Sequence, residues 1–387
     1  MMMQTYLYPI RTALISFPFI AFAILVPYLM YDYHKHGSVS KWRAFVVYSF
    51  IFYLLCAFYL VILPLPEREH VHTHWREMIQ LIPFTFVSDF IRETSMRFSD
   101  PRSLVVGLRE GVFTQPVFNI VMTLPFGIYL RYYFKCDLKK TLILSFSLSL
   151  FFELTQITGL YGIYPGPYRL FDVDDLILNS MGGLIGYAIA PAMTYFFPTR
   201  EALDLESAEK SVTVTYVRRL IAYLIDSVIM TLAISIFTLG MRAVMPGVPQ
   251  YPAFESVTHF MGFMFFFFVW PLSHQGSTLG MSIVQIRIEV DESQSRVKGI
   301  LMRCLLVYVF MIRFGDLSGL LVKGLSTSNP YIDTLTSVLY LLIIMGYWIF
   351  MMIHVLSTMF HRNYRMFYER ISKTQMVSTY PDHNIDG

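Results

Sequence analysis

The sequence predicts an all-α polytopic membrane protein and excludes a soluble globular enzyme. Of the 387 residues, 55% are hydrophobic and only 15% are charged, whereas soluble chains carry about 25% charged residues. Apolar runs of about 20 residues, the length that crosses the hydrocarbon core of a bilayer, recur along the chain. These runs are apolar on every side, which suits helices in contact with lipid and not the helices of a soluble core.

Nine segments are long and apolar enough to be predicted as membrane-spanning helices. The eighth is the weakest of them, because Arg303, Arg313 and Asp316 interrupt it. The first begins at Ile10 without a basic leader, so we expect a span and not a cleavable signal peptide. The predicted spans cover residues 10–31, 43–63, 112–134, 141–161, 176–197, 218–240, 256–273, 300–321 and 335–358.

Basic residues predict how the spans are oriented. They concentrate in the segments 32–42, 131–140, 199–215 and 274–299 and in the tail after residue 358, which nine spans place on one side. Positively charged loops stay in the cytoplasm, so we expect the N-terminus outside and the C-terminus inside. The loop 64–111 also holds arginines, but long loops weigh little in this rule. Its apolar run from Met78 to Val87 is expected to lie in the membrane interface or to re-enter the membrane.

A polar stretch separates two groups of spans. Acidic and basic residues crowd into 199–215, which predicts a solvated cytoplasmic linker. We therefore predict a five-helix membrane domain over residues 1–198 and a four-helix membrane domain over 216–378. Residues 379–387 form a short tail.

A first polar constellation lies at the outer ends of the fourth and fifth predicted spans. Glu153 and Gln156 are three residues apart and share a helix face. Asp175, Asn179 and two following glycines form one stripe on the next helix, where glycine permits close helix contact. We predict a ligand-binding site made of Glu153, Gln156, Arg169, Asp172, Asp174, Asp175 and Asn179.

The same residues allow structural interpretations. An ionised acid at membrane depth is costly and is usually paired or functional. For Glu153 we favour a functional role over a buried ion pair with Arg169. Asp172 or Asp174 can instead cap the fifth helix, and for Asp174 alone we favour the cap.

Short motifs between residues 45 and 197 follow one another in a specific order. They are Leu63-Pro64, Leu81-Ile82-Pro83-Phe84, Asn119 with Pro125-Phe126-Gly127, Glu153-x-x-Gln156, Arg169, Phe171-Asp172-Val-Asp174-Asp175, and Asn179 with Gly182-Gly183 and Gly186. Together they resemble the VanZ-like family. The resemblance implies a multi-pass protein of the bacterial cytoplasmic membrane, and the founding member of that family is linked to reduced susceptibility to teicoplanin-type glycopeptide antibiotics. The function expected from it is binding of a membrane lipid, a lipid-linked peptidoglycan precursor or a glycopeptide antibiotic at the outer leaflet.

A second polar constellation follows the linker. Arg219 and Asp226 are seven residues apart, two turns along one helix face. With Arg303 and Glu369 they form a second predicted polar site. The structural alternative, which we weigh equally, is that Arg218 and Arg219 snorkel to the interface and Asp226 pairs with Arg219 or Arg303.

Residues 213 to 378 resemble the RDD family, which is named for an arginine and two aspartates. Arg219 and Asp226 match the first two of these residues, and Glu369 stands where the second aspartate is expected. Ser277 and Met281 replace the glutamine and lysine that are usual after the second span. The resemblance implies ion transport only as a suspected activity of some members.

Weaker patterns give no further site. His70, His72 and His74 alternate and in a strand could hold Zn²⁺ or Cu²⁺, but we favour an incidental pattern. No cofactor is expected, and no polybasic tract suggests nucleic acid. No disulfide or metal site is expected from the widely spaced Cys56, Cys136 and Cys304.

Two further functions stay open at this stage. The first is a membrane transporter, for lipid translocation or for cation/proton exchange, with polar residues at both ends of the bundle lining a path. The second is a metal-dependent intramembrane enzyme that uses carboxylates around Asn179. We favour a protein that is not an enzyme, because we find acids but no clear nucleophile.

Overall fold

A computed structural model of the protein describes residues 2–71, 75–97, 101–245, 247, 251–323, 330–360 and 365–380. Within these ranges nearly all regular structure is helical, and the strands form only two short two-stranded sheets. The predicted all-α fold class is therefore confirmed.

The chain forms two compact units, of which the first comprises Met1–Ile24 and Ser40–Leu203. It contains the first part of α1 and a parallel sheet in which Ile79 pairs with Phe171 and Gln80 with Asp172. Its elements are α1 (Met2–His36), α2 (Lys41–Ile62), β1 (Ile79–Gln80), α3 (Thr85–Glu93), α4 (Pro101–Gly107), α5 (Gly111–Tyr132), α6 (Leu138–Ile157), α7 (Gly159–Gly162), β2 (Phe171–Asp172) and α8 (Val173–Met193).

The second unit comprises Leu25–Val39 and Asp204–Gly387. Its antiparallel sheet runs from the pair Ile286–Ser378 to the pair Val290–Thr374. The segment 199–215, predicted as a linker, contains the helix α9 (Arg200–Ser211). The other elements are α10 (Tyr216–Val244), α11 (Pro252–Met264), α12 (Trp270–Ser273), α13 (Leu279–Ile283), β3 (Ile286–Val290), α14 (Arg296–Val307), α15 (Phe314–Lys323), α16 (Pro330–Phe360), α17 (Phe367–Ile371) and β4 (Thr374–Ser378).

Eight helical segments of the described chain are long and apolar enough to cross a membrane. They coincide with eight of the nine predicted spans. One of them, Ala253–Ser273, combines α11, a π-helical turn at Phe265–Val269 and α12. The multi-pass membrane character of the chain follows from these helices.

The eighth predicted span is not a continuous helix. The helix α14 ends at Val307, a π-helical turn covers Tyr308–Ile312, and α15 begins at Phe314. The charged residues Arg313 and Asp316 lie at this interruption and form an ion pair with 2.5 Å between Nη1 and Oδ2. Two of the charged residues that weaken the predicted span therefore lie where the regular helix ends.

The interrupted segment still packs against α16. The Tyr347 hydroxyl donates to the Phe310 carbonyl, and the Tyr340 hydroxyl lies 3.5 Å from the Gly315 carbonyl oxygen. Later residues of the segment therefore meet earlier residues of α16, so the two run antiparallel. Because β3 and β4 meet at one end of the unit, the chain must leave that end along this segment and return along α16.

The first unit depends on very close contact between α5 and α8. A Cβ atom added at Gly186 would lie 1.9 Å from the Leu124 carbonyl oxygen, and one at Gly182 would lie 2.2 Å from that of Ile120. On the facing helix, a Cβ at Gly127 would lie 1.9 Å from the Gly183 carbonyl oxygen. The glycines therefore let the two backbones touch, as small residues do between membrane helices.

The second unit is held by a buried arginine in addition to its apolar core. Arg218 is 1% exposed, and its guanidinium donates to the carbonyl oxygens of Val284, Ser211 and Gln285, each at 2.8 Å. The alternative that Arg218 snorkels to the interface is therefore wrong. The buried core around it consists of Tyr33, Val214, Ile221, Ala222, Ile225, Met281, Val284, Ile286, Ile288 and Ile300.

Replacing Gly186 with alanine should destabilise the first unit, because the new methyl group forces α5 and α8 apart. We expect a loss of about 1–3 kcal/mol in the free energy of unfolding, seen as a lower midpoint for thermal unfolding of the solubilised protein. Gly240→Ala in α10 is the matched control, since nothing lies within 4 Å of a Cβ added there. Equal midpoints for the two variants would contradict the close packing.

Candidate functional site

The polar residues of the first constellation meet where α8 begins. Asp172 is the N-cap of α8, because its side chain accepts a hydrogen bond of 2.8 Å from the backbone N–H of Asp174. The pairing of β2 with β1 lies directly before this cap and brings the chain around Gln80 against it. The Gln80 side chain donates to Asp172 over 3.4 Å.

Asp174 anchors a second helix instead of capping its own. Its carboxylate accepts hydrogen bonds from the backbone N–H groups of Phe84 at 2.6 Å and Phe86 at 3.0 Å, and from the Thr85 hydroxyl at 2.5 Å. These groups form the N-terminus of α3, where a negative charge is favourable. The favoured interpretation of Asp174 as the cap of the fifth span is therefore wrong. Asp172 caps that helix, and Asp174 binds the N-terminus of α3 to it.

Glu153 is buried beneath the same turn. Its side chain is 2% exposed and accepts a hydrogen bond of 3.0 Å from the backbone N–H of Asp172. No ion pair joins Glu153 to Arg169 in the part of the chain that the structure describes. Arg169 and Gln156 instead both donate, at 2.9 Å, to the carbonyl oxygen of Val61 near the end of α2. The structural alternative of a Glu153–Arg169 strut is therefore excluded.

Asp175 and Asn179 belong to a network across α5, α6 and α8. The Asn119 amide donates to Asp175 Oδ1 over 2.5 Å, and the Asn179 amide donates to the Ser149 hydroxyl over 2.9 Å. Ser149 in turn donates to the backbone carbonyl of Asp175. Asn179 Oδ1 is buried and has no hydrogen-bond partner among the described residues. Asn119 was not among the predicted site residues, although a lone asparagine inside an apolar span is the signal that identifies it.

A small cavity of about 140 Å³ opens between α3, α5 and the start of α8, and its walls are acidic. Four carboxylates border it, and none of the described residues that line it is basic. Of the predicted site residues, only Asp172, Asp174 and Asp175 line it, whereas Glu153, Gln156, Arg169 and Asn179 do not. The fourth carboxylate, Asp89, is exposed on α3 and was missed, since nothing in the sequence links that loop helix to the fifth span.

The carboxylates of the acid cluster repel one another. Burial raises the pKa of the Asp172 carboxyl, and the negative charges of Asp174 and Asp89 raise it further against the opposing hydrogen bond from the Asp174 N–H. Like charges held this closely favour a cation among them and repel an anion. The cavity is therefore suited to an ammonium or other cationic group and not to a phosphate.

The second constellation is brought together only in part. Glu369 is 0% exposed and lies between two arginines, with Arg219 Nη1 at 2.7 Å and Arg303 Nη1 at 2.8 Å from its two carboxylate oxygens. Burial acts to raise the pKa of the Glu369 carboxyl, but the charges of Arg303 and Arg219 outweigh it and hold that pKa below its ordinary value. The predicted link between Arg219, Arg303 and Glu369 thus exists as a three-membered charge cluster.

Asp226 stands apart from that cluster. Its two carboxylate oxygens accept hydrogen bonds from the Thr278 hydroxyl at 2.5 Å and from the backbone N–H of Gly280 at 2.6 Å. No ion pair between Asp226 and an arginine occurs in the described chain, so the alternative that it pairs with Arg219 or Arg303 is wrong. Asp226 instead joins α10 to the start of α13, where Thr278 is the N-cap.

The histidine pattern supplies no metal centre that the structure can test. His72 and His74 lie outside the described residues. Within the described ranges, no three side chains from His, Cys, Asp and Glu are arranged to hold a metal ion. Cys56, Cys136 and Cys304 are free thiols in the structure.

Two family models match different parts of the chain. Residues 50–198 match the family model described as VanZ/LLP1, and residues 213–361 match that of the RDD family. The chain therefore contains a segment similar to the VanZ/LLP1 family followed by a segment similar to the RDD family, and Glu369 lies beyond the second match. A search of curated proteins and a search of solved structures each returned no match.

Replacing Glu369 with glutamine should make the second unit less stable in a pH-dependent way. The change leaves two buried guanidinium groups without a carboxylate, which costs about 3–5 kcal/mol at neutral pH. Because the folded-state pKa is depressed, this contribution is present above the unfolded pKa of about 4.3 and is lost as pH falls through the lower folded value. Thermal unfolding between pH 3 and pH 8 measures this contribution. The difference in unfolding midpoint between wild type and variant should become smaller only at the acid end of this range.

Glu289→Gln is the matched control for this experiment. Glu289 is 44% exposed in a loose pair with Arg287, so its loss should cost less than about 1 kcal/mol. A gap between wild type and Glu369→Gln that stays constant over the whole pH range would contradict the charge cluster.

Proposed function

We propose that this membrane protein of the cell envelope is bacterial and lowers the susceptibility of its cell to teicoplanin-type glycopeptides. In this proposal it binds a lipid, a cell-wall precursor or the drug itself at the outer leaflet. The part of the ligand that the protein recognises is a cationic group, which enters the acidic cavity at the start of α8. The protein acts as a binding factor and not as an enzyme.

The observation that carries this proposal is the charge of the cavity. Asp89, Asp172, Asp174 and Asp175 surround about 140 Å³ of space that no described basic side chain lines. A space of this size admits an ammonium group but is smaller than the 300–1,000 Å³ of a site that encloses a whole drug-sized ligand. The remainder of the ligand would therefore lie outside the cavity.

Apolar residues beside the cavity are suited to the part of the ligand that lies outside it. Leu81, Ile82 and Phe84 lie directly before α3 and are 65%, 71% and 58% exposed. An apolar group exposed next to a charged cavity is typical of a surface that meets lipid at the membrane interface. An amphiphile with a cationic head would find both of its parts accommodated here.

The hydrogen bonds that fix α3 support a binding site whose carboxylates are in place before the ligand binds. Three hydrogen bonds from the start of α3 to Asp174 hold Asp89 over the cavity. Glu153 and Asn119 in turn hold Asp172 and Asp175 from behind. Because the acids are positioned before a ligand arrives, binding does not have to order them.

Loss of the carboxylates should abolish protection. Expression of the chain in a glycopeptide-susceptible Gram-positive host should raise the minimal inhibitory concentration of teicoplanin, and the Glu153→Ala/Asp175→Asn double variant should return it to that of the empty vector. Asp89→Lys should act in the same way, because it places a cation at the exposed edge of the cavity without altering a buried contact. Immunoblots of membrane fractions check that each variant is present at the wild-type level.

Glu93→Gln is the control for this series, since Glu93 is an exposed acid of α3 that does not line the cavity. It should protect as the wild type does. Unchanged teicoplanin susceptibility on expression of the wild type, or full protection by both cavity variants at normal abundance, would reject the proposal.

A further inference from the structure

The second unit contains a larger cavity that the first unit's proposed function does not use. It encloses about 440 Å³ and opens between the start of α10, α14 and the segment around α17. Most of its wall is apolar, with aromatic rings from Tyr223, Phe263 and Phe267. Its charged lining residues are Arg219, Asp226 and Arg303.

This cavity is lined by two arginines, unlike the acidic cavity at the start of α8. Arg219 and Arg303 share a single carboxylate, Glu369, which lies behind them. Asp226 is engaged by Thr278 and Gly280 and not by an arginine. The two guanidinium groups together carry more N–H donors than their one carboxylate can accept.

One of these donors has no acceptor. Arg219 Nε is buried and makes no hydrogen bond to any described residue, although the Arg219 side chain is only 10% exposed. A buried donor without a partner costs free energy, and it costs more on a charged group. Because this Nε atom has almost no accessible surface, an acceptor from outside the chain reaches it only if the Arg219 side chain shifts toward the cavity that it lines.

The mouth of the cavity indicates where such an acceptor comes from. Val217, Leu220 and Tyr223 line the cavity and are also 53%, 56% and 40% exposed along one side of α10. Because α10 is one of the spanning helices, its exposed apolar side faces acyl chains. The cavity thus continues from lipid-facing surface to buried arginines, and a molecule that fits it has an apolar chain next to an anion.

We propose that this cavity binds one anionic phospholipid, with its phosphate on Arg219 and Arg303 and an acyl chain along the aromatic wall. Guanidinium groups match phosphate oxygens in pairs of hydrogen bonds. Basic pockets between membrane helices are typical sites for anionic head groups. The proposal does not depend on the function proposed for the first unit.

Lipid titration of the purified full-length protein tests the site. The delipidated protein in an uncharged detergent is titrated with dioleoyl phosphatidylglycerol, with dioleoyl phosphatidylcholine or with sodium phosphate, and the thermal unfolding midpoint is followed. We expect a saturable rise with phosphatidylglycerol only. An equal rise with phosphatidylcholine would show that the head group is not recognised, and an equal rise with inorganic phosphate would show an anion site and not a lipid site; either result overturns the proposal.

Variants locate the effect in the cavity. Arg219→Gln should weaken the apparent affinity for phosphatidylglycerol about tenfold or more, as expected for the loss of a charged hydrogen bond. Arg313→Gln is the matched control, because Arg313 belongs to the same unit but does not line this cavity, and it should bind as the wild type does. Equal affinities of the two variants would overturn the site.

A pair of changes at the exposed mouth covers the case in which Arg219→Gln does not fold. Leu220→Glu should weaken phosphatidylglycerol binding by charge repulsion, whereas Leu220→Lys should leave it unchanged or strengthen it. Leu220 lies within the first two turns of α10, which begins at Tyr216, so a charged side chain there can reach the membrane interface and both variants should fold. Equal effects of the two charges would contradict a phosphate held at this mouth.

Discussion

The contact between the α5 and α8 backbones is the constraint on which the first unit depends. Glycines at this contact let carbonyl oxygens of one helix lie where side chains would otherwise be. At that separation the Asn119 amide reaches Asp175, and the Thr123 hydroxyl reaches the backbone carbonyl of Asn179 at 2.8 Å. Polar groups that would be costly in hydrocarbon are thereby satisfied within the protein. The acids at the start of α8 can be crowded together because the helices beneath them are fixed.

The two units solve the cost of buried charge in different ways. The first gathers carboxylates and stabilises them with backbone N–H groups and amides, which leaves a negative cavity. The second places one carboxylate between two arginines and spreads a third arginine, Arg218, over backbone carbonyls. Under the two proposals made above, the acidic cavity takes a cationic group and the arginine-lined cavity takes an anionic one.

The spans were predictable because crossing a bilayer demands a length of apolar helix that few other structures require. Clustering of Asp172, Asp174 and Asp175 was predictable for a related reason, since acids at the start of a membrane helix need partners. The partners themselves were not predictable. Asp174 accepts hydrogen bonds from the start of α3, a helix 81 or more residues earlier in the chain, and no local sequence pattern indicates that the two meet.

Other features depended on contacts that no local pattern encodes. Arg218 and Arg219 are neighbours in the sequence and were equivalent as predicted interface anchors. In the structure Arg218 donates to backbone carbonyl oxygens such as that of Ser211, whereas Arg219 donates to Glu369. The two side chains differ because successive side chains of a helix point about 100° apart. The break between α14 and α15 was indicated by Arg313 and Asp316, but the sequence did not show that this segment would still run beside α16.

A double-mutant cycle between Asn119 and Asp175 tests the central claim most directly. The free energy of unfolding in detergent is measured for the wild type, Asn119→Ala, Asp175→Ala and the double variant. If close helix contact joins this amide to this carboxylate, the two changes should be non-additive, with a coupling energy of about 1 kcal/mol or more. Strict additivity of the two losses would mean that the side chains do not meet and that the acidic cavity lacks its supporting wall.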